Sequence, residues 1–241
     1  MSRFIILFYG VVAYLTFLLT FLYAMGFMGN FLVPKSIDSG AEGPLIIALL
    51  INIGLLSVFA VQHSVMARPA FKTWWTKIIP KAAERSTYTL LSSLALILLF
   101  YYWQPIGGIV WQVEGSVGRI ILYSLFGFGW ALVLVSTFLI NHFDLFGLQQ
   151  VWFNFKDKPE PAPNYTERLF YKIVRHPLQM GFLMGLWITP TMSWTLFTLS
   201  TFMTIYIFIG LHYEEKDLVV SLGDSYVDYQ KRVRKLIPIP K

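Results

Sequence analysis

The sequence predicts an all-α, polytopic membrane helical bundle of about six apolar helices, and three observations carry that prediction. The chain is 56% hydrophobic and only 13% charged, about half the charged share of an ordinary soluble domain. Several uncharged apolar runs reach the roughly 20 residues that cross a bilayer as a helix. The basic residues behind the net charge of +6 gather in a few segments between and after those runs. In a soluble protein such a charge points to nucleic acid. Here it marks loops facing an anionic leaflet, so the lipid bilayer is the expected partner and nucleic acid is not.

The helices are expected at Phe4–Met28, Pro44–Met66, Thr87–Trp103, Ile120–Ile140, Leu178–Thr189 and Trp194–Leu211. The first is too long for a signal-peptide core and has no clear cleavage site, so it reads as a retained helix. The fifth is short, ends at Thr189-Pro190 and meets the sixth soon after at Trp194, which makes a tight hairpin. Gly181 and Gly185 stand four apart on it, a spacing that admits a neighbouring backbone.

Between the helices, Pro69–Ile79 places Phe71, Trp74, Trp75 and Ile78 at helical spacing with Lys72 and Lys77 among them, a pattern for a short helix in the membrane interface. Residues 156–164 carry three prolines and read as a surface loop. After Glu214, Leu218, Leu222, Tyr226, Tyr229 and Val233 form one apolar stripe, as in an amphipathic helix folded back under the membrane domain. Basic residues crowd the segments after helices two and four and the tail, whereas the opposite loops hold Lys35 and Arg119. The positive-inside rule then puts both termini on the cytoplasmic side. The whole chain, 1–241, reads as a single domain without an internal repeat.

That topology brings His63, His142, His176 and His212 each to the cytoplasmic end of a helix, with Gln62, Glu84, Arg85, Asn141, Asp144, Arg175, Glu214 and Glu215 in the same layer. Ionisable groups at this depth face a bundle interior, so the layer reads as a polar cavity or as ordinary helix ends at the water boundary. No two histidines lie three or four apart, and no metal site is expected. The absence of cysteine excludes disulfides, thiolate metal sites and a cysteine nucleophile. Walker, G-x-G-x-x-G and G-x-S-x-G motifs are missing, which removes the common nucleotide and hydrolase chemistries.

The most informative stretch is Tyr171-Lys172-Ile173-Val174-Arg175-His176-Pro177-Leu178-Gln179-Met180-Gly181. Proline suits the first turn of a helix, and the N–H groups that follow lack intrahelical acceptors. An imidazole and a guanidinium therefore stand at a helix N-terminus, a cradle for a carboxylate or phosphate. A basic membrane anchor followed by a helix start is the plainer reading of the same residues.

RHPLQMG at 175–181, HYEEKDL at 212–218, GDSYVDYQKRV at 223–233 and a final proline resemble the isoprenylcysteine carboxyl methyltransferase and phospholipid methyltransferase superfamily. These are integral-membrane enzymes that use S-adenosylmethionine. QHSVMARPAFKTWWTKIIPKAAERSTY at 62–88 and NHFDLFGLQQVW at 141–152 extend the resemblance over most of the chain, to the bacterial methanethiol S-methyltransferases. The resemblance implies methylation of a small thiol at the cytoplasmic face of a bacterial inner membrane, with the cofactor held within 171–235. Arg175, His176 and Pro177 match the family's Arg-His-Pro, Glu214 and Glu215 its paired glutamates, and Gly223, Tyr226 and Tyr229 its tail pattern. Gln179 departs from it, because the family often has tyrosine there.

On this reading Arg175 and His176 meet the cofactor carboxylate, and Glu214 or Glu215 its ammonium or ribose. Tyr171 or Tyr213 faces the sulfonium, with Gln179 and His212 alongside. The thiol must lose its proton to act as nucleophile. Asp144 or His142 is the expected base with His63 in support, unless proximity alone suffices. A prenylcysteine or a phospholipid amine is the competing acceptor, and a non-catalytic sensor or transporter the competing class.

Overall fold

The computed structural model describes residues 2–161 and 166–238. Among the described residues the helices run, in chain order, α1 (Arg3–Gly29), α2 (Leu45–Ala67), α3 (Pro69–Trp75), α4 (Glu84–Tyr102), α5 (Ser116–Ile140), α6 (His142–Leu145), α7 (Leu148–Phe155), α8 (Pro177–Trp187), α9 (Trp194–Leu222) and α10 (Asp224–Arg232). Four of them, α1, α2, α5 and α9, are long and apolar enough to cross a membrane. The protein is a helical membrane protein. The chain divides into two compact units, Met1–Ile106 with Asn141–Pro163, and Gly107–Ile140 with Asn164–Lys241.

Local chemistry sets the boundaries in the first unit. The Ser2 hydroxyl accepts from the Ile5 amide and opens α1, and Asn30 closes it in the left-handed conformation at φ 56°. Arg68 precedes Pro69, so it is held extended and separates α2 from α3. In the interior Asn52 is fully buried on α2; its amide donates to the Gln104 carbonyl, and its own oxygen accepts from the Gln104 amide. This exchange satisfies backbone groups just past the end of α4 that would otherwise be stranded. Gly10 of α1 lies against Val151, which seats α7 on α1.

In the second unit α5 and α8 approach backbone to backbone. A Cβ on Gly181 would lie 2.5 Å from the Gly129 carbonyl oxygen, and one on Gly185 would lie 2.9 Å from the Trp130 ring. The expected close approach at Gly181 and Gly185 is therefore present, and its counterpart is Gly129 of α5. With 11 residues, α8 is about 16 Å long at 1.5 Å per residue. That is about half the hydrocarbon thickness.

Three features correct the sequence expectation. The sixth helix does not stop at Leu211: α9 continues for 29 residues to Leu222, so His212, Glu214 and Glu215 lie within it. The segment after Leu211 loses its hydrophobicity but contains no residue that breaks a helix until Gly223, at φ 61°. The apolar stripe of the tail is consequently split. Tyr226, Tyr229 and Val233 fold back against Leu218, Val219 and Leu222 across that glycine.

The third is a strand pair: Ile109–Gln112 (β1) runs antiparallel to Thr191–Ser193 (β2), with Ile109 opposite Ser193 and Gln112 opposite Thr191. β2 occupies the α8–α9 connection, and the Ser193 hydroxyl accepts from the Leu196 amide to cap α9. Of the expected proline-rich loop, residues 156–161 follow α7 without helix or strand. Residues 162–164 lie outside the described residues, as do the final proline, Pro240, and Lys241.

Gly181→Ala forces a methyl against a backbone oxygen that cannot swing away, whereas a Cβ on Gly127 of the same unit meets nothing within 4 Å. We expect Gly181→Ala to lose about 1–3 kcal/mol, and Gly127→Ala to be neutral or to gain up to about 1 kcal/mol from helix propensity. Thermal melts of the two variants in detergent that coincide would refute this packing.

Candidate active site

The second unit builds a buried charge cluster where three pieces of chain meet. A single turn at Leu169–Lys172 leads into the start of α8. Beyond α10 the chain runs alongside that lead-in: Val174 bridges Arg234 in parallel, the Arg175 amide donates to the Arg234 carbonyl, and the His176 amide to the Lys235 carbonyl. The Tyr229 hydroxyl donates to the Tyr171 carbonyl and clamps the same junction from below. The third piece is the late part of α9, which supplies Glu214 and Glu215.

Glu215 is the hub. Its Oε1 accepts from Arg175 Nε at 2.9 Å and Nη2 at 2.6 Å, and from His176 Nε2 at 3.0 Å, while Lys235 Nζ lies 3.4 Å from Oε2. Arg175 directs its remaining Nη1 at the carbonyls of Val233, 2.5 Å, and Gln230, 3.3 Å. The guanidinium expected to meet a ligand carboxylate is thus committed to the fold: it ties α9 to the tail. A carboxylate only accepts, so His176 Nε2 carries the hydrogen.

Burial holds the His176 imidazole below its usual 6.5; the bond and charge of Glu215 oppose that shift, and Arg175 and Lys235 add to it. His176 is therefore neutral near pH 7, with a lone pair on Nδ1. That nitrogen stands 3.9 Å from Glu214 Oε2. Glu214 is the more open of the two glutamates, its side chain 46% exposed against 15% for Glu215. Its one described hydrogen-bond donor is Gln179 Nε2, at 3.2 Å.

Around this cluster, Tyr171 is buried, and burial followed by Glu214 raises its phenol. Burial likewise pushes the Tyr226 phenol up to about 12. Tyr213 is exposed beside His212, with Lys216 Nζ 5.9 Å from its ring centre. A cavity of about 480 Å³ opens beside Glu215, lined by His212, Lys216, Val219, Val220 and Gln230. His176 forms no side-chain cap on α8, and Pro177 occupies its first turn. The Leu178 and Gln179 amides therefore have no intrahelical acceptor. Tyr171, Arg175, His176, Gln179, His212, Tyr213, Glu214 and Glu215 all belong to this unit.

The other three predicted residues belong to the first unit. His142 is buried, and its Nε2 meets the Tyr14 hydroxyl at 2.8 Å. Burial also lowers its basicity. Asp144 is gripped by amides, Gln150 Nε2 at 2.8 Å and Gln149 Nε2 at 3.4 Å. His63 lies against Tyr88, whose hydroxyl is 2.8 Å from Nε2, and Ser92 Oγ is 3.2 Å from Nδ1. The layer expected to hold all four histidines is thus divided between the units, His63 and His142 in one and His176 and His212 in the other.

Lys235, Tyr14, Tyr88 and Gln150 escaped the sequence reading. Lys235 sits in a basic run that resembles any solvated tail. Tyr14 and His142 are 128 positions apart, and no local spacing announces such a pair.

A family model described as NnrU protein matches residues 51–211. The chain is 52% identical over 238 residues to a methanethiol S-methyltransferase of Crocosphaera subtropica, covering 99% of this chain and 93% of that one. A methanethiol S-methyltransferase of Mycobacterium tuberculosis is 45% identical over 240 residues, covering 100% and 98%. The chain belongs to the methanethiol S-methyltransferase family. A nurim homolog of Drosophila pseudoobscura pseudoobscura is 31% identical over 195 residues, 78% of this chain and 76% of that one. No solved structure gives a significant match. Arg175, His176 and Glu215, singled out from the sequence, are the residues that meet in this cluster, with Glu214 at its edge.

The buried imidazole makes a pH prediction. Because His176 is held below 6.5 in the fold, the unfolded chain binds the extra proton first as pH falls. Stability is then flat above about 6.5 and declines below it, until His176 itself protonates. His142 is shifted the same way, so His176→Gln should shallow the decline of the melting temperature between about pH 7 and 5.5 without abolishing it. An unchanged slope in the variant would contradict the burial of a neutral imidazole.

Proposed function

We propose that the protein transfers a methyl group from S-adenosylmethionine to methanethiol, releasing dimethyl sulfide, as one methyltransferase domain spanning 1–241 with its cofactor region at 171–235. The observation that carries this reading is the pair of acceptors, His176 Nδ1 and Glu214 Oε2, facing each other across 3.9 Å in a chain about half identical to named methanethiol S-methyltransferases. Two acceptors in register call for a cationic donor between them, and the cofactor's α-ammonium is such a group. The free Leu178 and Gln179 amides at the start of α8 suit its carboxylate. Tyr171 or Tyr213 suits its sulfonium through the ring face, with His212 lining the cavity beside Glu215 and Gln179 donating to Glu214.

When bound, the cofactor supplies an electrophilic methyl group. The residues of the chain bind, orient and manage protons. Arg175, His176 and Lys235 neutralise Glu215 and leave Glu214 as the carboxylate open to a ligand. For the acceptor, His63, His142 and Asp144 are the proposed thiol-side groups, Asp144 or His142 taking the proton and His63 supporting. The site faces the cytoplasm of a bacterial inner membrane, with both termini on that side; the basic loops support this orientation. No metal takes part in this reading.

Purified protein given S-adenosylmethionine and methanethiol should release dimethyl sulfide into the headspace only when both are present. Bound cofactor without dimethyl sulfide would move the acceptor to prenylcysteines or phospholipid amines, and failure to bind cofactor would remove the methyltransferase reading. Glu214→Gln should weaken cofactor binding about ten- to hundredfold, the size of one charge-assisted hydrogen bond. His63→Ala, His142→Ala and Asp144→Ala should lower kcat with little change in cofactor affinity. Wild-type kcat and pH profile in all three would discard the base assignment.

A further inference from the structure

The first unit carries a second charged feature that the methyl-transfer reading leaves unexplained. Residues 67–86 hold five cations, Arg68, Lys72, Lys77, Lys81 and Arg85, against one carboxylate, Glu84. Large apolar side chains in and near this segment point outward: Trp74 and Ile78 are exposed, as are Trp152 and Phe155 of α7, where a further cation, Lys156, places its Nζ 4.8 Å from the Trp152 ring centre. Cations interleaved with exposed tryptophans mark the headgroup level of a bilayer.

Within that rim, Lys72 and Trp75 turn inward. They stand three apart on α3, on one side of the helix, whereas Trp74 between them faces out. The Trp75 ring packs on Phe71 and Trp74. Its Nε1 is buried and meets no acceptor among the described residues. The buried indole N–H groups of Trp103 and Trp130 also meet no acceptor among the described residues, but of the three Trp75 alone stands in the basic segment, where an anion can answer it. Lys72 lies beside Arg85, with the carboxylates of Glu84 and Asp144 also near. Burial and then Arg85 hold its ammonium below the usual lysine range. The Asp144 carboxylate is already engaged by Gln149 and Gln150. Lys72 and Arg85, opposed by the one remaining carboxylate of Glu84, leave a net positive place near an unanswered N–H for an anion with several acceptor oxygens.

We propose that Lys72 and the Trp75 indole, with Arg85 behind them, form a seat for the phosphate of an anionic phospholipid, whose acyl chains lie along the Trp74 and Ile78 rim. The five-to-one charge ratio favours an anionic lipid over a zwitterionic one, and the apolar rim favours a lipid over free phosphate. The proposal does not rest on the methyl-transfer reading, although Lys72 lies near Asp144, a base proposed there.

The test is native mass spectrometry of the full-length, delipidated protein titrated with phosphatidylglycerol or with phosphatidylcholine of the same chain length. Wild type should retain phosphatidylglycerol severalfold better than phosphatidylcholine. Lys72→Gln with Trp75→Phe should bring phosphatidylglycerol retention down to the phosphatidylcholine level, and Trp75→Phe alone should fall between. Lys231→Gln, at an exposed lysine of α10, should change nothing, and melting curves verify that each variant is folded. Equal retention of the two lipids by wild type, or wild-type retention by the folded double variant, would overturn the site. Displacement of the lipid by inorganic phosphate would overturn the lipid assignment in favour of a free anion.

Discussion

One buried ion pair, Arg175 with Glu215, holds the second unit's site together. It joins the lead-in to α8 to the late turns of α9 and to the end of α10 and the chain after it, which lie 40 to 58 positions from Arg175. An ion pair taken out of water stabilises a fold only when its leftover donors and acceptors are also satisfied. Here they are: the guanidinium reaches two tail carbonyls, and the carboxylate also faces His176 and Lys235. The same saturation has a functional consequence. Glu215 is answered three times over, so the neighbouring Glu214 keeps an oxygen facing outward. Adjacent glutamates of identical chemistry thereby end in different settings, one saturated by the fold and one open to its surroundings.

The placement of that pair depends on helix geometry. α9 has 29 residues, about 44 Å at 1.5 Å per residue, and the hydrocarbon core takes up only about 30 Å. The surplus turns carry Glu214 and Glu215 on a rigid helix, where a loop would have left them loosely placed. The short α8 begins beside them because its other end is fixed by small residues: Gly181 and Gly185 lie against Gly129 and Trp130 of α5. Glycine packing in the apolar part and an ion pair in the polar part thus fix the start of α8 from two sides.

The first unit handles its polar groups differently. Its histidines are each buttressed by a tyrosine, His142 by Tyr14 and His63 by Tyr88, and Asp144 is held by two glutamine amides. Such neighbours fix the orientation of the two rings and of the carboxylate. Its basic end combines outward tryptophans with an inward lysine and an unanswered indole N–H, the arrangement expected where protein meets headgroups.

Much of the architecture was legible in the sequence because it follows from short-range physics. Apolar runs, proline at the first turn of α8 and the extended residue before Pro69 each act within a few positions. The end of α9 was misplaced because hydropathy stops at Leu211, whereas the backbone hydrogen-bond ladder stops only where Gly223 permits a left-handed turn. The β1–β2 pair was missed because two short strands some 80 positions apart carry no joint signal. By itself the sequence determined that this is a helical membrane protein of the methanethiol S-methyltransferase family, and it singled out Arg175, His176, Glu214 and Glu215 as candidates to be found together. Only the tertiary structure decided which of them are ligands to each other and which face outward. A side chain's free valences depend on what the fold brings against it, and Lys235, Val233 and Gln230 arrive from a distance in the chain that no local pattern records.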